Sequence, residues 1–183
     1  YSNMLMLLIV LCAASCSGEL SYNEAMEKNQ ARLEDPDDIE DAAFLVEMKS
    51  ANILETKLSA LAIDSGYAST IVDMARKNYE DHMQMTEEIE KIAGRKKVKL
   101  PAMMSNEHQS MYNQVASSAR RDFDDNFIRT MKRVNEDIND EFLDMATEAN
   151  DPDVRAFAAR KLDIARAHKE RIAEVESKLL STY

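Results

Sequence analysis

The sequence predicts an all-α protein, a bundle of four long helices. Three observations carry this. Glycine and proline number only three each in 183 residues, so long stretches run without a breaker. Apolar residues recur at three- and four-residue intervals, which lines one face of a helix. No alternating run of β-branched and aromatic residues of the kind that makes strands occurs. Twelve methionines and no tryptophan suit an interior filled by flexible side chains.

Each helix has its own signals. The first long helix is expected from Asp38 to Ser65, with Phe44, Met48, Ala51, Leu54, Leu58 and Leu61 inward and Gly66 as its stop. The second is expected from Ser69 to Ala93, with Gly94 as its stop. Its inner face reads Ile71, Ala75, Asn78, His82, Met85, Ile89 and Ile92. Leu100-Pro101 then breaks the chain, and Ser105 is placed to cap a short helix reaching Val115. The third long helix is expected from Ala119 to Glu148, with Phe123, Phe127, Met131, Val134, Ile138, Phe142 and Met145 inside. Asp151 caps the fourth and Pro152 takes its first position; Val154, Phe157, Lys161, Ala165, His168, Ile172, Val175 and Leu179 follow as its inner face.

Connection lengths set the topology. Short links make the first and second helices antiparallel neighbours, and likewise the third and fourth. The middle link of about 25 residues is long enough to run the length of the bundle. That gives one long crossover carrying a short extra helix, as in ferritin-like bundles.

Residues 1–15 read as a signal peptide, residues 16–38 as a lipidated N-terminus and tether, and residues 39–183 as the bundle domain. Met4 to Leu11 is an unbroken apolar run of signal-peptide length, too short for the roughly 20 residues of a membrane-spanning helix. It ends in Ala13-Ala14-Ser15-Cys16, which resembles a bacterial lipobox. Cleavage there removes Cys12 and leaves Cys16 without a disulfide partner, so acylation of its thiol explains both its presence and its position. Each buried acyl methylene adds about 0.8 kcal/mol of membrane affinity. Ordinary cleavage after Ser15 is the alternative. Ser17 after Cys16 favours the outer membrane. A short helix near Tyr22 to Leu33 is expected within the tether.

The net charge of -11 makes nucleic acid a poor partner, because phosphates are repelled. The one basic run, Arg95-Lys96-Lys97-Val98-Lys99, reads as a loop whose charges face a helix C-terminus.

Four polar residues interrupt the inner faces near mid-helix: Glu55, His82, Asn135 and His168, with Asn78 and Asp81 beside them. Midpoints of packed helices share one height, so these side chains should lie at one level. They read as a hydrogen-bonded network that fixes helix register, as a mononuclear metal site using Glu55, His82 and His168, or as a small-ligand pocket. A di-iron centre is disfavoured: it needs Glu-x-x-His on two helices, and Tyr79 and Ala165 stand where those glutamates belong. His108, on the short helix, reads as a surface or packing residue. No Ser/His/Asp spacing, phosphate-binding glycine loop or HExxH is present.

Three stretches resemble a large bacterial family of unknown function often labelled "predicted outer membrane protein". They are Asp81-His82 leading into Ala93-Gly94-Arg95-Lys96-Lys97-Val98-Lys99-Leu100-Pro101, then Glu107-His108-Gln109, and Asp151-Pro152-Asp153-Val154-Arg155-Ala156-Phe157-Ala158-Ala159 with His168 beyond. Phe123-Asp124 also looks like that family's opening of the third helix. The resemblance covers about residues 40 to 178 and implies an exported ferritin-like bundle with no settled activity. That family often carries an Asp-His pair on its third helix, where this chain has Val134-Asn135.

The expectation is a non-enzymatic envelope lipoprotein. It is held to the membrane by its lipid anchor, faces the periplasm, and serves a structural role or binds an unidentified protein or small molecule. The alternative is a protein that binds a single transition metal such as zinc at the mid-bundle Glu/His cluster.

Overall fold

The computed structural model describes residues 18–180. Its described elements are α1 (Tyr22–Arg32), α2 (Pro36–Ser65), α3 (Ser69–Lys96), α4 (Asn106–Ala116), a 3-10 turn (Arg120–Asp122), α5 (Phe123–Glu148) and α6 (Pro152–Leu180). The expected signal peptide, residues 1–15, and Cys16 lie outside the described residues.

Local chemistry sets most boundaries. Asp35 caps α2 by accepting from the Asp37 N–H at 3.0 Å, with Pro36 next. Asp151 Oδ1 accepts from the Asp153 and Val154 N–H groups and so opens α6. Ser105 caps α4 through the His108 N–H.

One stop signal was misread. Gly94 does not end α3, which continues to Lys96. Lys97 takes the left-handed conformation (φ 58°), and the Val98 N–H donates to the Ala93 carbonyl at 2.9 Å. That wrap satisfies the last carbonyls, so the helix closes three residues later than the glycine suggests. Arg95 and Lys96 occupy the last turn, where the helix dipole favours cations, and they pair with Asp153 and Asp151 at the start of α6.

The helix directions follow from contacts at the two ends. At one end Asp124, opening α5, accepts from the Tyr67 and Ala68 N–H groups between α2 and α3 at 3.0 and 2.8 Å. At the other, Asp41 near the start of α2 accepts from the Asn150 and Asp151 N–H groups between α5 and α6 at 3.2 and 2.7 Å. Hence α2 and α6 run one way, α3 and α5 the other. The chain leaves α3 at one end and enters α5 at the opposite end, so residues 97–122 form the expected full-length crossover.

Residues 22–38 are not a free tether. Ser21 and Glu24 form a capping box that opens α1, and α1 packs on α2. Tyr22 donates to Glu47 at 2.6 Å, and Asn29 exchanges two hydrogen bonds with the Lys99 backbone, both at 2.8 Å. Docking buries Ala25 and Asn29, a tertiary gain that the polar composition of this helix conceals. Pro36 to Asp38 already belong to α2.

With α3, α5, α1 and α4 all packed on it, α2 is buried around most of its circumference. Its apolar faces meet the others in one core, in which Phe44, Phe142 and Phe157 form an edge-to-face triangle with centroids 5.9–6.3 Å apart. None of the described helices is long and apolar enough to cross a membrane.

Candidate functional site: a buried Glu/His cluster between α2, α3 and α6

Glu55 on α2, His82 on α3 and His168 on α6 meet inside the bundle, each no more than 3% exposed. One donor atom from each lies within 4.8 Å of the others. Glu55 Oε2 is 3.3 Å from His82 Nε2, and the two imidazole centroids are 5.2 Å apart.

Helix register explains the meeting. Lys49 on α2 pairs with Glu90 on α3, and Asn52 with His82 and Thr86 one turn further along, so Glu55 comes opposite His82. On the other seam, Lys161 pairs with Glu88 and Arg171 with Asn78, which sets His168 level with His82.

Each imidazole is oriented from behind. The Asn52 amide nitrogen donates to the His82 carbonyl at 2.9 Å and to Thr86 Oγ1 at 2.5 Å. A carbonyl only accepts, so the amide oxygen faces His82 Nδ1, 2.8 Å away. Nδ1 therefore carries the hydrogen, and Nε2 presents a lone pair towards Glu55. His168 Nε2 lies 3.0 Å from Asp81 Oδ2, which leaves Nδ1 of that ring for any ligand. The hydrogen bond from His168 holds the Asp81 carboxyl below the usual carboxylate range, and Arg171 adds to this. A carboxylate or amide behind each ring is how metal-binding histidines are commonly set.

Burial decides the charges. Desolvation pushes the Glu55 carboxyl up to about 8, so at neutral pH it is mostly protonated. Desolvation, with His168 second, pushes His82 down to about 3, so that ring is neutral. The close Glu55–His82 approach is thus not an ion pair. Glu55 Oε1 and His82 Nε2 are left without a hydrogen-bond partner. Ser59 Oγ and Asn78 Nδ2 share that condition, and among the described residues these four are the buried side-chain atoms so left. A network that satisfied itself would not strand four atoms in adjoining turns.

The donor set fits a metal ion. A tetrahedral ion with donors at 2.0–2.2 Å holds them about 3.4 Å apart. The Glu55–His82 pair already stands at 3.3 Å. The wider 4.8 Å limit of the set leaves a movement of roughly 1 Å for the third ligand.

The remaining residues fall elsewhere. Asn135 is buried but does not join the cluster; it lines a shallow hollow with Lys132, Lys169 and Ile172 on the α5–α6 seam. Asp81 sits behind His168 rather than beside Glu55. His108 is buried and not at the surface: Ser50 Oγ accepts from the Ser105 N–H at 2.8 Å and is hydrogen-bonded to His108 Nδ1 at 2.7 Å. Glu47 lies 3.6 Å beyond Nε2. Serine, histidine and acid follow the order of an acyl-transfer triad, but Ser50 is fully buried and out of reach of any substrate. The set ties the crossover to α2. Asn52 and Arg171 were missed. The signal for Asn52 was its position three residues before Glu55, on the same face of α2; Arg171 stands three residues after His168, on the same face of α6.

No curated protein is matched by this chain. A solved structure, the crystal structure of a DUF305 fragment from Deinococcus radiodurans, superposes with a TM-score of 0.68 over 79% of this chain and 97% of that one. At 16% identity this is a likeness of fold. The family model of DUF4142, a domain of unknown function, matches residues 23–175, and the chain belongs to that family.

Proposed function

We propose that this chain is a metal-binding helical bundle of the bacterial envelope, held at the membrane by a lipid on Cys16. The ion is a single transition metal such as zinc, bound by Glu55, His82 and His168. The observation that carries the reading is His82: a buried, neutral imidazole whose Nδ1–H is fixed by Asn52 and whose Nε2 lone pair faces a buried carboxyl without bonding to it. Borderline-soft nitrogen donors with one carboxylate suit zinc and its neighbours better than magnesium or calcium, which prefer oxygen ligands.

The role is binding rather than catalysis. Outer-membrane attachment, facing the periplasm, is supported by the lipobox-like Ala13-Ala14-Ser15-Cys16 and by Ser17. Docking of α1 adds a spatial consequence. Six residue steps separate Cys16 from Tyr22, at most about 20 Å of extended chain. The bundle so anchored stays against the membrane surface.

Protein purified without chelator and examined by native mass spectrometry and elemental analysis tests the metal. One equivalent is expected in the wild type and none in His82→Ala or His168→Ala. A wild type that takes up no zinc, iron, manganese or copper, with no thermal shift in their presence, overturns the reading.

A register-fixing network is the second reading. The satisfied Asn52–His82 and Asp81–His168 bonds favour it, and the four partnerless atoms weigh against it.

A further inference from the structure

The metal reading leaves Ser59 and Asn78 unexplained. Ser59 is fully buried on α2, one turn past Glu55; Asn78 is 1% exposed on α3, one turn before His82. In the antiparallel α2–α3 pair, the layer that follows Glu55–His82 is therefore Ser59–Asn78. Both side chains end in a polar atom without a partner, Ser59 Oγ and Asn78 Nδ2. The free atom of Asn78 is identified by its other end: Arg171 Nη1 donates to Asn78 Oδ1 at 2.5 Å, so the amide nitrogen points away from the guanidinium. Each stranded group has given up its water and gained nothing in return when nothing meets it. Two in one layer, beside two more in the next, mark a place built to receive a ligand.

We infer that Ser59 and Asn78 hold a small exogenous oxygen- or nitrogen-donor ligand, a water or a small anion replacing it, at the fourth position of the metal site. The inference rests on the proposed metal. Three protein ligands leave a tetrahedral ion one position short, which is the pattern of open rather than structural zinc sites. Ser59 Oγ–H and Asn78 Nδ2–H₂ are donors, so they select an acceptor. Arg171 adds a positive charge one side chain away, which favours an anion over a neutral molecule. The neighbouring α3–α6 seam is held by polar pairs: Lys161 with Glu88, and Asp81 with His168 and Arg171. The Asp81 side chain is 30% exposed, so this seam reaches solvent within one residue of the site.

Cobalt(II), whose visible bands report coordination, is the probe, with azide as the anion. Wild-type protein loaded with cobalt is titrated with azide. The bands should shift and saturate. Ser59→Ala and Asn78→Ser should each weaken azide by about tenfold, the loss of one buried donor, while cobalt affinity in Ser59→Ala stays within about twofold. Ser59→Ala removes a partnerless hydroxyl and should fold as well as the wild type, so it decides the matter if Asn78→Ser fails to fold. Cobalt bands that azide leaves unchanged, or variants that bind azide as tightly as the wild type, overturn this inference and leave the metal intact. Absence of cobalt bands in the wild type overturns both.

Discussion

Asn52 and His82 hold each other at two points, the amide oxygen on the ring's Nδ1 at 2.8 Å and the amide nitrogen on the backbone carbonyl at 2.9 Å. The pair joins α2 to α3 and fixes which ring nitrogen is bare. Replacing Asn52 by leucine strands the Nδ1–H in the interior and frees the ring to turn. Metal affinity should fall by about 10–100-fold, and the metal-free protein should lose about 1–3 kcal/mol. Isothermal titration with zinc and urea denaturation check the two effects separately. An affinity unchanged in Asn52→Leu removes Asn52 from the site.

Glu55 should make metal binding steeply pH-dependent. Its folded value of about 8 lies above its ordinary 4.5. The carboxyl must lose its proton to take up a cation, so below pH 8 each ion bound releases about one proton, and affinity should rise about tenfold per pH unit. In the metal-free protein the sign reverses. The folded state binds the extra proton between 4.5 and 8, so the contribution of Glu55 to stability is fully present below 4.5 and is lost as pH rises through 8. Glu55→Gln should flatten this slope, by a few kcal/mol across the range. Urea midpoints from pH 5 to 8.5 for wild type and variant give the answer. Parallel curves would show that Glu55 is ionised in the fold.

His82 works in the opposite sense. Its folded value of about 3 lies below its ordinary 6.5. Its contribution is present above 6.5 and is lost as pH falls through that value towards 3. Stability measured in Glu55→Gln, where the glutamate no longer titrates, should therefore fall on acidification from pH 6.5. A pH-independent midpoint in that variant means that His82 is charged or solvated.

Two glycines should respond to alanine in opposite directions. Gly94 sits inside α3 with open space where a side chain would go. Gly94→Ala should stabilise by about 0.5–1 kcal/mol through helix propensity and a less flexible unfolded chain. At Gly66 the new methyl would lie 2.6 Å from the Ala62 carbonyl oxygen and 3.0 Å from the Ile71 side chain. Gly66→Ala should destabilise by about 1–3 kcal/mol. Thermal unfolding of the two variants tests the pair. A neutral Gly66→Ala would mean that the α2–α3 turn yields easily.

The anchor is tested on Cys16. Mature protein from native membranes should carry acyl mass on that residue, and Cys16→Ser should move the bundle to the soluble fraction. A mature chain that begins at Cys16 without lipid would make the protein periplasmic and free.

Some features were legible because they are local. Ser105 and Asp151 mark helix starts through their own backbone and side-chain chemistry, and the apolar faces of the four long helices follow from a period that needs no partner. The crossover followed from link lengths alone. Glu55, His82 and His168 stood out because a polar residue on an apolar face is visible in one dimension. What the sequence left open were rotations and registers. Asn135 was expected at the level of His168 but lines the α5–α6 seam instead, and Asp81, expected beside the cluster, bonds His168 from behind. Asn52, Ser59, Asn78 and Arg171 gained their roles only when α2, α3 and α6 slid into one register. Gly94 was overridden by a left-handed Lys97 one turn on, and α1 became part of the fold because α2 offered it a surface. A helix can be written in its own residues. Which of its residues meet those of its neighbours is decided by how whole faces pack, and that exists only in three dimensions.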